Sequence, residues 1–363
     1  MQKDKRILIC PLDWGLGHAT RCIPIIRLLL KKNAEVIIAA DNRPLALLKL
    51  EFPELQFIQL KGYNINYPAS GSMILKMLLS LPKIIKGIKA EHRQLDKIIK
   101  EHNIDIVISD NRYGCWNKKV KTVFITHQLM IKAPFAEGFL HKKVLKFIDK
   151  YDACWIPDNE GSQNLSGDLA NKNPIPKNAF FIGPLSRFDS NEKRINKNNI
   201  REGDIQKYDI MAIVSGPEPQ RGLLKNILIQ KLKESKYKSL IVCGETESEW
   251  EMQLNENVHV KSHLGAAEMH KAISSSSLII ARSGYSTIMD LAMLGKKVIF
   301  IPTPGQTEQA YLAQIVMERT IAFYQTQENF NLEQAIEASK KYRGFQTFQA
   351  STDLEKRIEK LLC

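Results

Sequence analysis

Arg6-Ile7-Leu8-Ile9-Cys10-Pro11-Leu12-Asp13-Trp14-Gly15-Leu16-Gly17-His18 runs from an apolar stretch of strand length, through a polar turn with two glycines, to a histidine at the mouth of a helical pattern. Arg6–Cys10 reads as a strand, Cys22–Lys31 as a helix and Glu35–Ala40 as the next strand, and Ile104–Ser109 and Thr122–Thr126 continue the series. Strands separated by helices make parallel βαβ units and a doubly wound sheet. Glycine lets backbone N–H groups approach a ligand, so Gly15 and Gly17 read either as a tight turn or as a phosphate or acceptor loop. Pro24 is best tolerated in a first helical turn, which places the helix start near Arg21 or Cys22 and leaves His18 outside it.

The alternation stops at Leu185–Tyr208, a stretch rich in Asn, Lys, Arg, Asp and Glu that reads as a linker. It then restarts with strands at Ile210–Val214, Leu240–Cys243, Val258–Lys261, Leu278–Ala281, Val298–Ile301 and Ile321–Tyr324. Helices are expected at Leu223–Leu232, Ala266–Ile273, Ser286–Leu294 and Gln309–Glu318. The expected organisation is a first Rossmann-like α/β domain over 1–185, a linker over 186–208, a second domain over 209–345 and a C-terminal helix over 346–363 that returns to the first domain. Two such domains facing each other place a ligand cleft at the carboxyl ends of both sheets.

Four further loops carry chemistry. Arg282-Ser283-Gly284-Tyr285-Ser286-Thr287 closes one strand and opens a helix, where small residues and N–H donors favour a pyrophosphate. Thr287 and Asp290 share a face of that helix, and Asp290 reads either as a ribose ligand or as a solvated aspartate. Glu308 and Gln309, in the loop after Val298–Ile301, suit sugar hydroxyls. Asp110 reads as a carboxylate that orients His18 or as an Asx-type turn, and His127 as an acceptor contact or a strand cap.

Composition limits the rest. The 363 residues are 44% hydrophobic and 25% charged, and 52 basic against 39 acidic side chains give a net charge of +13, which implies an anionic partner. No apolar run is long enough to span a bilayer, Asp13 soon interrupts the apolar N-terminus, and the six cysteines form no CxxC pair, so a reduced cytoplasmic protein is expected. Between Lys61 and Lys100 stand eight basic and two acidic residues interleaved with aliphatics, with Pro82 expected to split two helical pieces. That segment reads either as an interfacial element on an anionic membrane, peripheral on its inner face, or as an amphipathic helix packed on the first domain. Aromatic residues are not interleaved with the basic run, so nucleic acid is not expected. His259 and His263 straddle a strand, and no metal site and no cofactor are expected.

Taken in order, the motifs resemble the GT-B glycosyltransferases of family 28, which include the enzyme that adds N-acetylglucosamine to the lipid-linked peptidoglycan precursor. The likeness covers both domains and is strongest over Gly15–Arg21 and over Arg282–Gln309, where Arg282, Ser283, Gly284, Thr287, Asp290, Gly295 and Gln309 fall on the family's positions. It implies a metal-independent, inverting transfer from a nucleoside-diphosphate sugar, a uridine one, to an acceptor hydroxyl that is lipid-linked. Asp290 would hold the ribose, Ser283, Gly284 and Tyr285 the diphosphate, Glu308 and Gln309 the sugar, and His18 would be the base on the acceptor side. The chain departs from the family at Ser215-Gly216-Pro217-Glu218-Pro219-Gln220-Arg221, where two prolines remove backbone donors and leave the diphosphate to Ser215, Gly216 and Arg221. A nucleotide-sugar hydrolase of the same fold and a non-catalytic nucleotide-sugar-binding protein at a membrane are the alternative readings.

Overall fold

A computed structural model describes residues 5–62, 73–132, 137–172, 174–188, 207–347 and 353–363, with the side chains of 73–81 outside that description. The chain forms two compact units, one from residues up to 185 together with 353–363, the other from 186–347.

The first unit is a seven-stranded parallel sheet in the order β3-β2-β1-β4-β5-β6-β7. Its strands are β1 (Arg6–Pro11), β2 (Glu35–Ala40), β3 (Gln56–Gln59), β4 (Ile106–Asp110), β5 (Lys121–Ile125), β6 (Ala153–Ile156) and β7 (Ala179–Phe181). Helices α1 (Leu16–Lys31), α2 (Asn42–Glu51), α3 (Met73–Glu101), α4 (Glu137–Ile148) and α5 (Asp168–Asn171) connect them. Ile7 to Cys10 are fully buried, as expected of a central strand covered by helices on both faces. The strand order reverses between β1 and β4, so their carboxyl ends form the switch-point crevice of a doubly wound sheet.

The second unit repeats the plan with β8 (Tyr208–Ile213), β9 (Ser239–Val242), β10 (Glu251–Gln253), β11 (Val258–Lys261), β12 (Ser276–Ala281), β13 (Val298–Phe300) and β14 (Phe323–Tyr324), in the order β10-β11-β9-β8-β12-β13-β14. Only β10 is antiparallel to its neighbour among these pairs. Its helices are α6 (Gln220–Lys233), α7 (Ala266–Ser275), α8 (Tyr285–Leu294), α9 (Thr307–Glu318) and α10 (Leu332–Ser339), and α11 (Asp353–Leu362) lies with the first unit. Gly295 ends α8 at φ 62, where a Cβ would stand 2.7 Å from Thr347 Oγ1, so this C-cap requires glycine.

Three expectations are corrected. Helix α1 starts at Leu16, so His18 lies in its first turn and Pro24 in its interior. One lost backbone bond at Pro24 is outweighed by burial of Ile23, Ile25, Ile26 and Leu29 around it. Pro82 does not divide α3, which runs unbroken from Met73 to Glu101. The linker does not begin at Ser186: Ser186 and Phe188 are buried within the second unit, and the remaining linker residues, 189–206, lie outside the described ones.

Candidate active site

Register puts Pro11 beside Asp110, and Leu12 N donates to the Asp110 carbonyl, so the loop after β1 starts level with the end of β4. From α1, His18 and Arg21 stand three residues apart on one face and converge on Asp110. His18 Nδ1 lies 3.0 Å from Asp110 Oδ1, and Arg21 takes both carboxylate oxygens through Nε and Nη2. Arg21 Nη1 also reaches His127 Nδ1 at 3.2 Å, from the loop after β5. Asp110 and Arg21 are buried, while the His18 side chain keeps 18% exposure.

Donor and acceptor inventory bounds the ring states. His18 Nδ1 lies within hydrogen-bond distance of both an acceptor, Asp110 Oδ1 at 3.0 Å, and a donor, Arg21 Nη2 at 2.9 Å, so a proton on Nδ1 serves Asp110 and leaves the lone pair on Nε2, whereas a lone pair on Nδ1 serves Arg21. Arg21 can only donate, so His127 Nδ1 accepts from it. Burial, and then the Arg21 guanidinium, hold the His18 imidazole below its ordinary range against the opposing pull of Asp110. Burial alone would raise the Asp110 carboxyl, but Arg21 and then His18 overcome it and bring it down to about 2. At neutral pH the cluster is therefore a free imidazole oriented by an ionised carboxylate, the arrangement of a general base. Gly15 faces open space where a Cβ would stand, and the Gly17 carbonyl accepts from Thr20 Oγ1.

Arg21 was not assigned a role from sequence. Its spacing from His18 is the signal that would have found it, once the helix start is moved back to Leu16.

In the second unit, Ile213, Ala281 and Phe300 stand level on β8, β12 and β13. Their loops lead to Ser215 and Gly216, to Arg282, Ser283 and Gly284, and to Thr303. Gly284 caps α8 with no side-chain bond, no acidic residue lies in the first turn, and a Cβ on Gly284 would meet open space. An anion is favoured there by the partial positive charge of the helix end. Tyr285 is buried at the helix start, and Thr287 and Glu308 are partly exposed.

Several side chains expected to face the donor have protein partners instead. The Asp290 carboxylate accepts from Ser186 Oγ at 2.7 Å, from Arg187 Nε at 3.0 Å and from Arg187 N at 3.3 Å, so it anchors the start of the second unit. The Arg282 guanidinium is buried and donates to the carbonyls of Ile301, Pro302 and Gln220 and to Gln327 Oε1. Ser283 Oγ donates to the Gln309 carbonyl, and the Gln309 amide accepts from Thr303 N and donates to Gln306. Arg221 pairs with Glu218 and donates to the Gly244 carbonyl, and Glu218 also accepts from Gly222 N, so one carboxylate already occupies the anion position at the start of α6. For Asp290, Arg282, Ser283 and Gln309 the common cause is burial, where a polar group without a partner is costly and the loops supply most of the partners. Glu218 is exposed and pairs with Arg221 from its own loop.

Residues 220–361 match the glycosyltransferase family 28 C-terminal domain. They are a family 28 domain on a GT-B fold. Across the chain, a protein of Methanosarcina mazei described as an uncharacterized glycosyltransferase is 23% identical, covering 98% of this chain and 97% of that one. The UDP-N-acetylglucosamine--N-acetylmuramyl-(pentapeptide) pyrophosphoryl-undecaprenol N-acetylglucosamine transferase of Francisella philomiragia is 24% identical over 93% of this chain and 89% of its own. Among solved structures, the glycosyltransferase SnogD from Streptomyces nogalater superposes with a TM-score of 0.61 at 11% identity, covering 99% of both chains. The glycotransferase of kitacinnamycin gives 0.62 at 13% identity, covering 99% of this chain and 94% of that one. At such identities the solved structures share the fold of two Rossmann-like domains. The family 28 match over residues 220–361 and the named relatives make the chain similar to glycosyltransferases of that type.

Proposed function

We propose that this protein is a family 28 glycosyltransferase that moves a sugar from a nucleoside diphosphate, a uridine one, to an acceptor hydroxyl, with inversion at the anomeric carbon. His18 Nε2 takes the proton of the acceptor hydroxyl, the freed oxygen bonds to the anomeric carbon, and the bond from that carbon to the β-phosphate oxygen breaks. The nucleoside diphosphate leaves with the electron pair; within the second unit, the N-terminus of α8 is the feature that favours an anion. The observation that carries this reading is the His18–Asp110 pair at a switch-point crevice, with the imidazole held below its ordinary range; the proton on Nδ1 facing Asp110, which leaves Nε2 as the base, is part of the proposal. The uridine donor and the lipid-linked acceptor follow the name of the Francisella relative.

A cytoplasmic protein working at an anionic membrane surface fits helix α3. Lys83, Lys86 and Lys89 are exposed on it, Ile85 is 52% exposed beside them, and Leu95, Ile98 and Ile99 bury its far end in the core. Lys76 lies outside the described side chains. Among the described residues no helix is long and apolar enough to cross a membrane.

The test is a panel of nucleoside-diphosphate sugars incubated with the protein and lipid-linked acceptors, reading nucleoside diphosphate, free sugar and glycosylated product separately. Product that requires acceptor and is lost in His18→Ala supports the transferase. Free sugar released at full rate without acceptor would instead make the protein a nucleotide-sugar hydrolase, and binding without turnover a nucleotide-sugar-binding protein.

A further inference from the structure

The Thr303 hydroxyl is buried, the residue being 2% exposed, and it has no hydrogen-bond partner. Its backbone is fully engaged, with Thr303 N donating to Gln309 Oε1 at 2.9 Å and its carbonyl accepting from Gln306 N at 3.1 Å. Arg282 Nη1 fixes the carbonyls of Ile301 and Pro302 just before it. The side chain is therefore held in place while its one polar atom is unsatisfied. Buried hydroxyls almost always have partners, and a fixed exception at a strand's carboxyl end points to a group that arrives later.

The surroundings indicate which group. A Cβ on Gly216 would stand 3.8 Å from Thr303 Oγ1, and Gly216 sits at φ 108, where a side chain is disfavoured. Gly216, Gly284 and Thr303 each lie three residues beyond strand positions that stand level in the sheet. The unpartnered oxygen thus belongs to the same group of strand-end loops as the N-terminus of α8, where Gly284 supplies no side-chain cap and the helix end favours an anion. The Arg221 guanidinium, the obvious rival ligand, is paired with Glu218.

We propose that Thr303 is a specificity-determining residue of the donor site, its hydroxyl donating a hydrogen bond to a phosphate oxygen of the nucleoside diphosphate. This inference rests on the donor reading above. The hydroxyl distinguishes diphosphate from bare nucleoside, and its lack of a partner in the free protein is the cost of that selectivity.

The test uses the full chain, with Thr303→Val to remove the hydroxyl at nearly constant shape and Thr303→Ser to retain it. UDP and uridine are titrated by calorimetry or thermal shift, and melting is followed without ligand. Thr303→Val should bind UDP about tenfold more weakly and uridine as well as wild type, while melting no lower than wild type, because no protein bond is lost. Thr303→Ser should retain most of the UDP affinity. Unchanged UDP affinity in Thr303→Val, equal losses for UDP and uridine, or a lowered melting temperature would each overturn the assignment. Wild-type protein that binds no UDP would overturn the uridine donor reading and this inference with it. Wild type that binds UDP beside an unaffected Thr303→Val overturns this inference alone.

Discussion

His18 and Asp110 are joined at 3.0 Å across 92 positions of sequence, and the carboxylate that orients the imidazole is itself held by Arg21 from the same helix turn. The base is thus built with its cationic form disfavoured. Its protonated state should appear only below the ordinary histidine value of 6.5. The acid limb of kcat/KM, measured with saturating acceptor, should therefore bend below pH 6.5 and stay flat through neutrality. His18→Ala should lose roughly 10²- to 10⁴-fold in turnover.

Asp110→Asn tests the orientation separately. An amide keeps its oxygen on Arg21 and turns its NH₂ toward His18, forcing the imidazole to accept at Nδ1 and to carry its proton on Nε2. Turnover should fall about as far as in His18→Ala. With the carboxylate's upward pull removed, the residual acid limb should move to still lower pH. A limb moving upward would show that Asp110 does not raise the ring's pKa in this cluster.

Stability should follow the same groups. Asp110 is depressed to about 2 from an ordinary 3.8, so its contribution is complete above that ordinary value and is lost as pH falls toward 2. His18 adds an earlier loss, because below about pH 6.5 the unfolded chain takes up a proton that the folded ring resists. Urea melts should weaken in two stages on acidification. Asp110→Ala at pH 7 should cost about 3–5 kcal/mol, since it leaves the buried Arg21 charge without its carboxylate.

Helix α3 is fastened by a buried pair. Glu91 Oε1 accepts from Arg112 Nη1 at 2.7 Å, Glu91 Oε2 accepts from Gly114 N at 2.8 Å, and a Cβ on Gly114 would fall 2.5 Å from the Ile88 carbonyl. Gly114→Ala should cost about 1–3 kcal/mol through forced displacement of the helix backbone. Equilibrium unfolding would measure it, and a neutral result would mean that α3 is loosely seated.

Vesicle binding tests the exposed side of α3. Co-sedimentation with anionic vesicles should weaken roughly fivefold for each of Lys83, Lys86 and Lys89 changed to Glu, and should decline as salt is raised. Binding that ignores both charge and salt would remove the membrane reading.

The two sheets were legible because the runs Arg6–Cys10, Glu35–Ala40 and Ile210–Val214 are short, predominantly apolar and bounded by polar turns. Gln56–Gln59 and Ala179–Phe181 were missed because edge strands bury too little to carry that pattern. His18 and Asp110 were legible because both follow central strands. Arg21 was not, since a proline rule placed the helix start too late. The engagement of Asp290 by Ser186 and Arg187 was invisible in a local pattern, because it joins positions 103 and 104 residues apart. Thr303 leaves no local signature either, for an unpartnered hydroxyl is defined by its neighbours in space.

Helix α11 is tied to the first unit by Lys32, which pairs with Glu355 and Glu359, and by Arg357, whose guanidinium lies 3.6 Å from the Phe180 ring centre. On the ribosome this order matters. The sheet from β1 to β7 emerges first, yet it waits for α11 until the whole second unit has been synthesised. The nascent amino-terminal unit must stand without these contacts through that interval, which makes it the stage of biogenesis at which chaperone engagement and aggregation of this protein are expected.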